Sequence, residues 1–183
     1  MLSIRHLFEF QQWPEDRFYM KGPRGRGYGR GGTKINAPMF AWSVFHGKKA
    51  PFIPGNTDWH SKVRINTPAG VWNIDSEIPI KPLFKLNEIK GIIVRASCQG
   101  HPAIDSYPEM NTYVIFKPEN QGINYVKELV NKLNSNKNIK AGFGRGTFDK
   151  FRVAVVAPFH YDSNPKEFKK WWERLPNIIK KVL

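Results

Sequence analysis

Arg95-Ala96-Ser97-Cys98-Gln99-Gly100-His101 concentrates more reactive chemistry than any other stretch of the chain and holds its single cysteine. The spacing admits three readings. In the first, Cys98 is a nucleophile and His101 its base, because a thiol reacts only where a base or a nearby cation favours the thiolate. Arg95 and His101 are the groups that could do so, and Asp105 is the closest acid in sequence that could orient the histidine. In the second, Cys98 and His101 form a Cys-x-x-His half-site for a metal, completed by His60, His160 or Asp162. In the third, Ser97 to His101 is a tight turn. Gly100 then permits an unusual backbone angle or the close approach of a phosphate, nucleoside or cofactor, and Cys98 is a small buried residue.

The elements that must position this segment follow from hydrophobic period and from turn residues. Val63 to Ile65 and Val71 to Ile74 flank Asn66-Thr67-Pro68-Ala69-Gly70 and predict a hairpin. Ser76 is a candidate cap for a helix that starts near Pro79 or Ile80 and stops at Gly91, with Ile80, Leu83, Phe84 and Asn87 on one face. Ile92 to Ala96 and Thr112 to Phe116 read as strands, with a loop over Ser97 to Met110. Gly122 to Leu133 carries a helical stripe of Ile123, Val126, Leu129, Val130 and Leu133. Ile139 to Phe143 and Phe151 to Ala157 are two further strands. Asn164-Pro165 opens a last helix that Pro176 should kink or end. The order α-β-β-α-β-β-α predicts an α+β fold: a mainly antiparallel sheet with helices on one face, ferredoxin-like or a related sandwich. An irregular basic N-terminal arm precedes it, with a soft boundary near residue 75 that divides 1–75 from a core domain at 76–183.

Residues 75–101 read DSEIPIKPLFKLNEIKGIIVRASCQGH. Asp75, Ile78, Pro82-Leu83, Asn87, Ser97-Cys98 and Gly100 form a pattern that resembles the wybutosine-synthesising tRNA methyltransferase family. That family has Ser, Ser and Arg where this chain has Ala96, Gln99 and His101. The resemblance implies an S-adenosylmethionine-dependent enzyme acting on a modified tRNA guanosine, with a site centred on Asp75, Ser97, Cys98 and His101. Apart from it, no cofactor and no resident metal is expected.

Charge points to the partner. The chain has 29 Lys+Arg against 15 Asp+Glu, a formal net charge of +14, and a pI near 10.0. Such a balance favours a polyanion, nucleic acid first. Residues 21–64 hold nine Lys/Arg and one acid, Asp58. Within them, Lys21 to Gly32 reads KGPRGRGYGRGG, whose six glycines hold neither helix nor strand. Arg24, Arg26 and Arg30 offer planar forks for phosphate, and Tyr28 a stacking face. The segment resembles the Arg-Gly-rich boxes of RNA-binding proteins. Lys34, Lys48, Lys49, Lys62 and Arg64 follow, interleaved with Phe40, Trp42, Phe45, Phe52 and Trp59, which either stack on bases or pack the arm onto the domain. Arg145, Lys150 and Arg152 add charge along a sheet edge. GFGRG at 142–146 lacks the Lys-Ser/Thr of a P-loop and reads as a glycine-rich hairpin. His160 and Asp162 either do acid–base work or belong to the helix cap, as Asp162 or Ser163 would.

Length and composition exclude other classes. Apolar content of 40% and aromatic content of 14% exclude a wholly disordered chain. One cysteine excludes an internal disulfide framework and fits a reducing, cytoplasmic setting. No run approaches the roughly 20 apolar residues of a membrane span. MLSIRHLFEF lacks the apolar core of a secretory signal, and Glu9, Glu15 and Asp16 argue against a transit peptide. The leading expectation is an RNA-binding protein, with tRNA or rRNA as partner, that uses its Arg-Gly-rich arm and basic surface; a binding module is favoured over an enzyme. The alternatives are a tRNA- or nucleotide-modifying enzyme and a structural component of a ribonucleoprotein or virion assembly.

Overall fold

A computed structural model describes residues 19–20, 36–53, 60–67, 70–145 and 150–183. In chain order the elements are β1 (Tyr19–Met20), α1 (Ala37–His46), β2 (Lys62–Thr67), β3 (Gly70–Asp75), α2 (Ile80–Asn87), β4 (Ile92–Cys98), β5 (Tyr113–Pro118), α3 (Ile123–Asn134), β6 (Lys140–Arg145), β7 (Arg152–Val156) and α4 (Pro165–Val182). The fold is α+β. Five antiparallel strands lie in the order β1-β6-β7-β5-β4, and β2 and β3 pair as a separate hairpin.

The connection β5-α3-β6 leaves room for β7, which returns between β5 and β6 and is buried at all five positions. This is the split βαβ arrangement of ferredoxin-like sheets. The strand beside β5 is β4, which precedes it in sequence and joins it as a hairpin rather than following α4. Val94, Val114, Phe116, Val153 and Val155 face α2, α3 and α4, which contribute Leu83 and Leu86, Val126 and Leu129, and Phe168, Trp172 and Leu175. Trp171 and Trp172 are both buried, so this pair belongs to the core and not to an outer stripe.

The opposite face differs from the sequence expectation of helices on one side and an irregular arm. Residues 37–46 form α1, and its Phe40, Ala41 and Val44 pack with Tyr113, Ile115, Ala154 and Val156. Residues that punctuate the chain act here as caps. The Asn36 side chain accepts from Met39 N–H at 3.0 Å, Pro38 lies in the first turn, and Gly47 closes the helix at φ +67°, donating to Ser43 O. The cap also holds the next segment: Asn36 Nδ2 donates to Ile53 O at 2.6 Å, and Ala50 N–H donates to Ser43 Oγ at 3.0 Å. A Cβ on Gly142 would lie 2.9 Å from the Val44 side chain, so β6 needs glycine where α1 crosses it. Residues 36–53 thus share a core with 76–183, across the expected boundary.

Three ends also differ. No side chain caps α2, whose first cap position is Pro79 rather than Ser76. Asn164, not Asp162 or Ser163, caps α4 by accepting from Glu167 N–H at 3.2 Å. Helix α4 runs through Pro176 to Val182, because burial of Trp172, Leu175, Pro176 and Ile179 on one face outweighs the hydrogen bond that proline removes. Among the described residues, no helix is long and apolar enough to cross a membrane. If α1 is part of the core, Phe40→Ala should lower unfolding free energy by about 3–5 kcal/mol, measured by denaturant titration; a surface arm would change by less than about 0.5 kcal/mol.

Candidate functional site

Strand β4 carries a β-bulge between Val94 and Ala96, with Arg95 as its extra residue. Alternating side chains on a strand point to opposite faces, and one extra residue exchanges the faces beyond it. Ile92 and Val94 accordingly face the core under α2 to α4, whereas Ala96 and Cys98 pack against the α1 side. Strand pairing continues through Ser97 and Cys98, opposite Val114 and Tyr113. Those two residues therefore lie on a strand rather than in a loop, and their side chains point apart. Ser97 does not join Cys98, which corrects the grouping expected from sequence.

The turn after β4 is fixed by Gly100 at φ +75°. A Cβ there would sit within 2.7 Å of Met110 O, His160 Cβ and Thr112 N. His101 and Met110 exchange backbone hydrogen bonds, Thr112 Oγ1 donates to Cys98 O at 2.7 Å, and Tyr161 N–H donates to Gln99 O at 3.1 Å. The loops before β5 and α4 thereby close on the turn. Gly100→Ala should cost more than about 2 kcal/mol of stability, from positive φ plus overlap with backbone; a melting curve close to that of the unchanged chain would contradict this.

Asp75 ends β3, and its side chain is only 4% exposed. Its cross-strand partner is Lys62, whose ammonium pairs with Oδ1. Oδ2 accepts from Gln99 N–H at 2.9 Å, and Gln99 Oε1 accepts from Glu77 N–H at 3.2 Å. The hairpin is thus fastened to the end of β4. His60, just before β2, brings Nε2 to 3.3 Å from Cys98 Sγ and 3.9 Å from Asp75 Oδ2. The ligand atoms of His60, Asp75 and Cys98 all lie within 4.8 Å of one another.

Burial pushes the Cys98 thiol well above its ordinary range, and the Asp75 carboxylate adds to the effect. Burial also holds His60 below the usual histidine value, against the opposing pull of Asp75. Both effects favour the thiol over the thiolate, so these surroundings do not supply the activation that a nucleophilic cysteine needs. Nor is the arrangement a relay, because His60 presents the same nitrogen to both Cys98 and Asp75; a nucleophile–base–orienter chain needs opposite ring nitrogens. At pH 7, iodoacetamide should modify Cys98 at least about tenfold more slowly than free cysteine, with the rate rising only in alkaline solution. A fast reaction at pH 7 would restore the nucleophile reading.

The other expected site residues separate. His101 is buried, and its Nδ1 donates to Pro102 O at 2.7 Å; its ring centroid lies 5.8 Å from that of His60. Asp105 is exposed in the Ile104–Tyr107 turn and does not orient it. His160 Nε2 pairs with Glu109 at 3.3 Å, and Asp162 is exposed, so of the three expected metal partners only His60 reaches Cys98. Asp75 was a candidate through the family pattern; His60 was a remote one, because nothing in the sequence places the start of β2 beside the end of β4.

Among the basic residues, Lys48, Lys49, Arg64, Arg145 and Lys150 are exposed. Arg152 is 2% exposed within β7 and does not offer its guanidinium to an outside phosphate. Lys62 pairs with Asp75. Arg24, Arg26, Tyr28, Arg30 and Lys34 lie outside the described residues. Compared with known proteins, the chain matches no family model, no curated protein and no solved structure.

Proposed function

We propose that the protein binds single-stranded RNA, gripping phosphate with its Arg-Gly-rich segment and exposed lysines and stacking bases on the outer edge of α1. The observation that carries this reading is the group at the end of that helix. Trp42 and His46 stack with centroids 3.8 Å apart, and Lys48 Nζ lies 5.7 Å from the Trp42 ring centroid. His46 Nδ1 donates to Trp42 O at 2.9 Å, which holds the ring in place. His46, Lys48 and Lys49 are exposed, and Phe52, three residues further along the chain, is 71% exposed. A base laid on His46 would extend an existing stack, with ammonium groups ready for its phosphates. Stacking of this kind is tolerant of sequence, and the net charge of +14 supplies the electrostatic part.

A second reading, an RNA-modifying transferase, is favoured by a cavity of about 560 Å³ that shares Asp75 with the cluster and is lined by Ser76, Ile78, Lys81, Lys85 and Lys169. Transfer of labelled methyl groups from S-adenosylmethionine to tRNA, lost in Asp75→Asn, would support it; no transfer by the unchanged chain would sink it.

The first reading is tested by fluorescence anisotropy with labelled single-stranded RNA, tRNA and duplex DNA across a salt series. Single-stranded RNA should bind most tightly. His46→Ala should weaken it by about tenfold, since stacking is worth about 1–3 kcal/mol per base. Lys48→Glu with Lys49→Glu should lower the slope of log affinity against log salt by about 1.4, the value for two lost contacts to a single strand. Unchanged affinity in these variants, or no binding above low salt, overturns the proposal.

A further inference from the structure

We propose that His60, Asp75 and Cys98 form a binding site for a zinc-class divalent cation, with His60 Nε2, Asp75 Oδ2 and Cys98 Sγ as its ligands. The argument begins with convergence. Three separate segments, the chain two residues ahead of β2, the end of β3 and the end of β4, bring one donor atom each within 4.8 Å of the others. A single imidazole nitrogen faces both the sulfur, at 3.3 Å, and the carboxylate, at 3.9 Å. Tetrahedral zinc with ordinary bond lengths separates sulfur from nitrogen by about 3.5 Å and nitrogen from oxygen by about 3.4 Å. The existing separations are within about 0.5 Å of both.

The surroundings are those a bound cation uses. Asp75 is oriented by Gln99 N–H on the same oxygen that faces His60 and by Lys62 on the other. Lys62 approaches from the solvent side, with 40% of its side chain exposed, so it does not occupy the ligand oxygen. Gly100 N–H donates to Cys98 Sγ at 3.4 Å, a contact that suits a thiolate. Outer contacts of this type fix ligand geometry. The ligand set also selects the metal. One thiolate and one carboxylate bring two negative charges to the cation, and sulfur with imidazole nitrogen favours zinc over magnesium or calcium. Binding releases the thiol proton to solvent and forms the metal–sulfur bond, with no change of oxidation state. Three protein ligands leave a fourth position for water, as in sites where zinc acts on a substrate. The buried His101 ring stands beside the cluster. None of these residues belongs to the Trp42–His46 edge, so the metal site and RNA binding stand or fall separately.

The test uses the full chain, treated with chelator and then titrated with Co2+ as a spectroscopic stand-in. The expected result is saturation at one equivalent, with a thiolate-to-cobalt charge-transfer band and visible bands of tetrahedral intensity, all bleached by one equivalent of Zn2+. Cys98→Ser should abolish the charge-transfer band, and His60→Gln should weaken Co2+ binding at least about tenfold. Native mass spectrometry with Zn2+ gives a second readout on the unchanged chain, where one retained zinc per folded molecule is expected. Absence of the charge-transfer band, a band unaffected by His60→Gln, or a folded chain that retains no zinc overturns the proposal.

Discussion

A carboxylate that is 4% exposed has to be satisfied where it lies, and Asp75 is satisfied by groups from two directions. Lys62 reaches it across the hairpin, and the Gln99 amide reaches it from the end of β4. Breaking a buried pair leaves an uncompensated charge, which is far more costly than the pair itself is favourable. The hairpin and the turn after β4 are therefore coupled through one side chain. The position of His60 follows, since only Ser61 separates it from the strand that Lys62 begins. So does the environment of Cys98, whose thiol is pushed up by burial first and then by that same carboxylate.

The sheet imposes a second constraint. β5 and β7 are covered on both faces, so Tyr113 to Phe116 and Val153 to Val156 alternate between one core and the other. An edge strand has more freedom, and β4 uses it. Its bulge costs one regular pairing but delivers Cys98 to the side where Asp75 and His60 converge, while Val94 stays in the larger core. Position on the edge, local irregularity and the gathering of reactive groups are one arrangement here.

How much of this was legible depends on the range of the interaction. The stripe at Ile123, Val126, Leu129, Val130 and Leu133 and the apolar runs of β5 and β7 are local signals, and they define the α+β core and its order. Helix α1 was also written locally, with Asn36, Pro38 and Gly47 at its ends, but it sits in a segment so rich in glycine and proline that caps resemble breakers. Pro176 misleads in the opposite sense, because burial in the core overrides a local preference. Asp75 and Cys98 were visible as reactive types. The bulge that turns Ser97 away from Cys98 was not, since Arg95 carries no bulge signature. His60 is 38 residues from Cys98, and that contact exists only because the hairpin folds back.

The order of the main sheet has a consequence for chain connectivity. Leu183, at the end of the described chain, lies against Gly91: a Cβ there would be 3.9 Å from its Cδ1. The strand that follows Gly91 is β4, so the tip of α4 and the root of β4 are neighbours in space. A polypeptide leading from 183 directly into 92, and cut in the 99–112 connection, would run β5-α3-β6-β7-α4-β4 through the same sheet. That is a regular repeat of two strand–helix–strand units. Whether this edge strand comes first or last is thus a property of which loop is closed, while its place beside β5 is the same in either order.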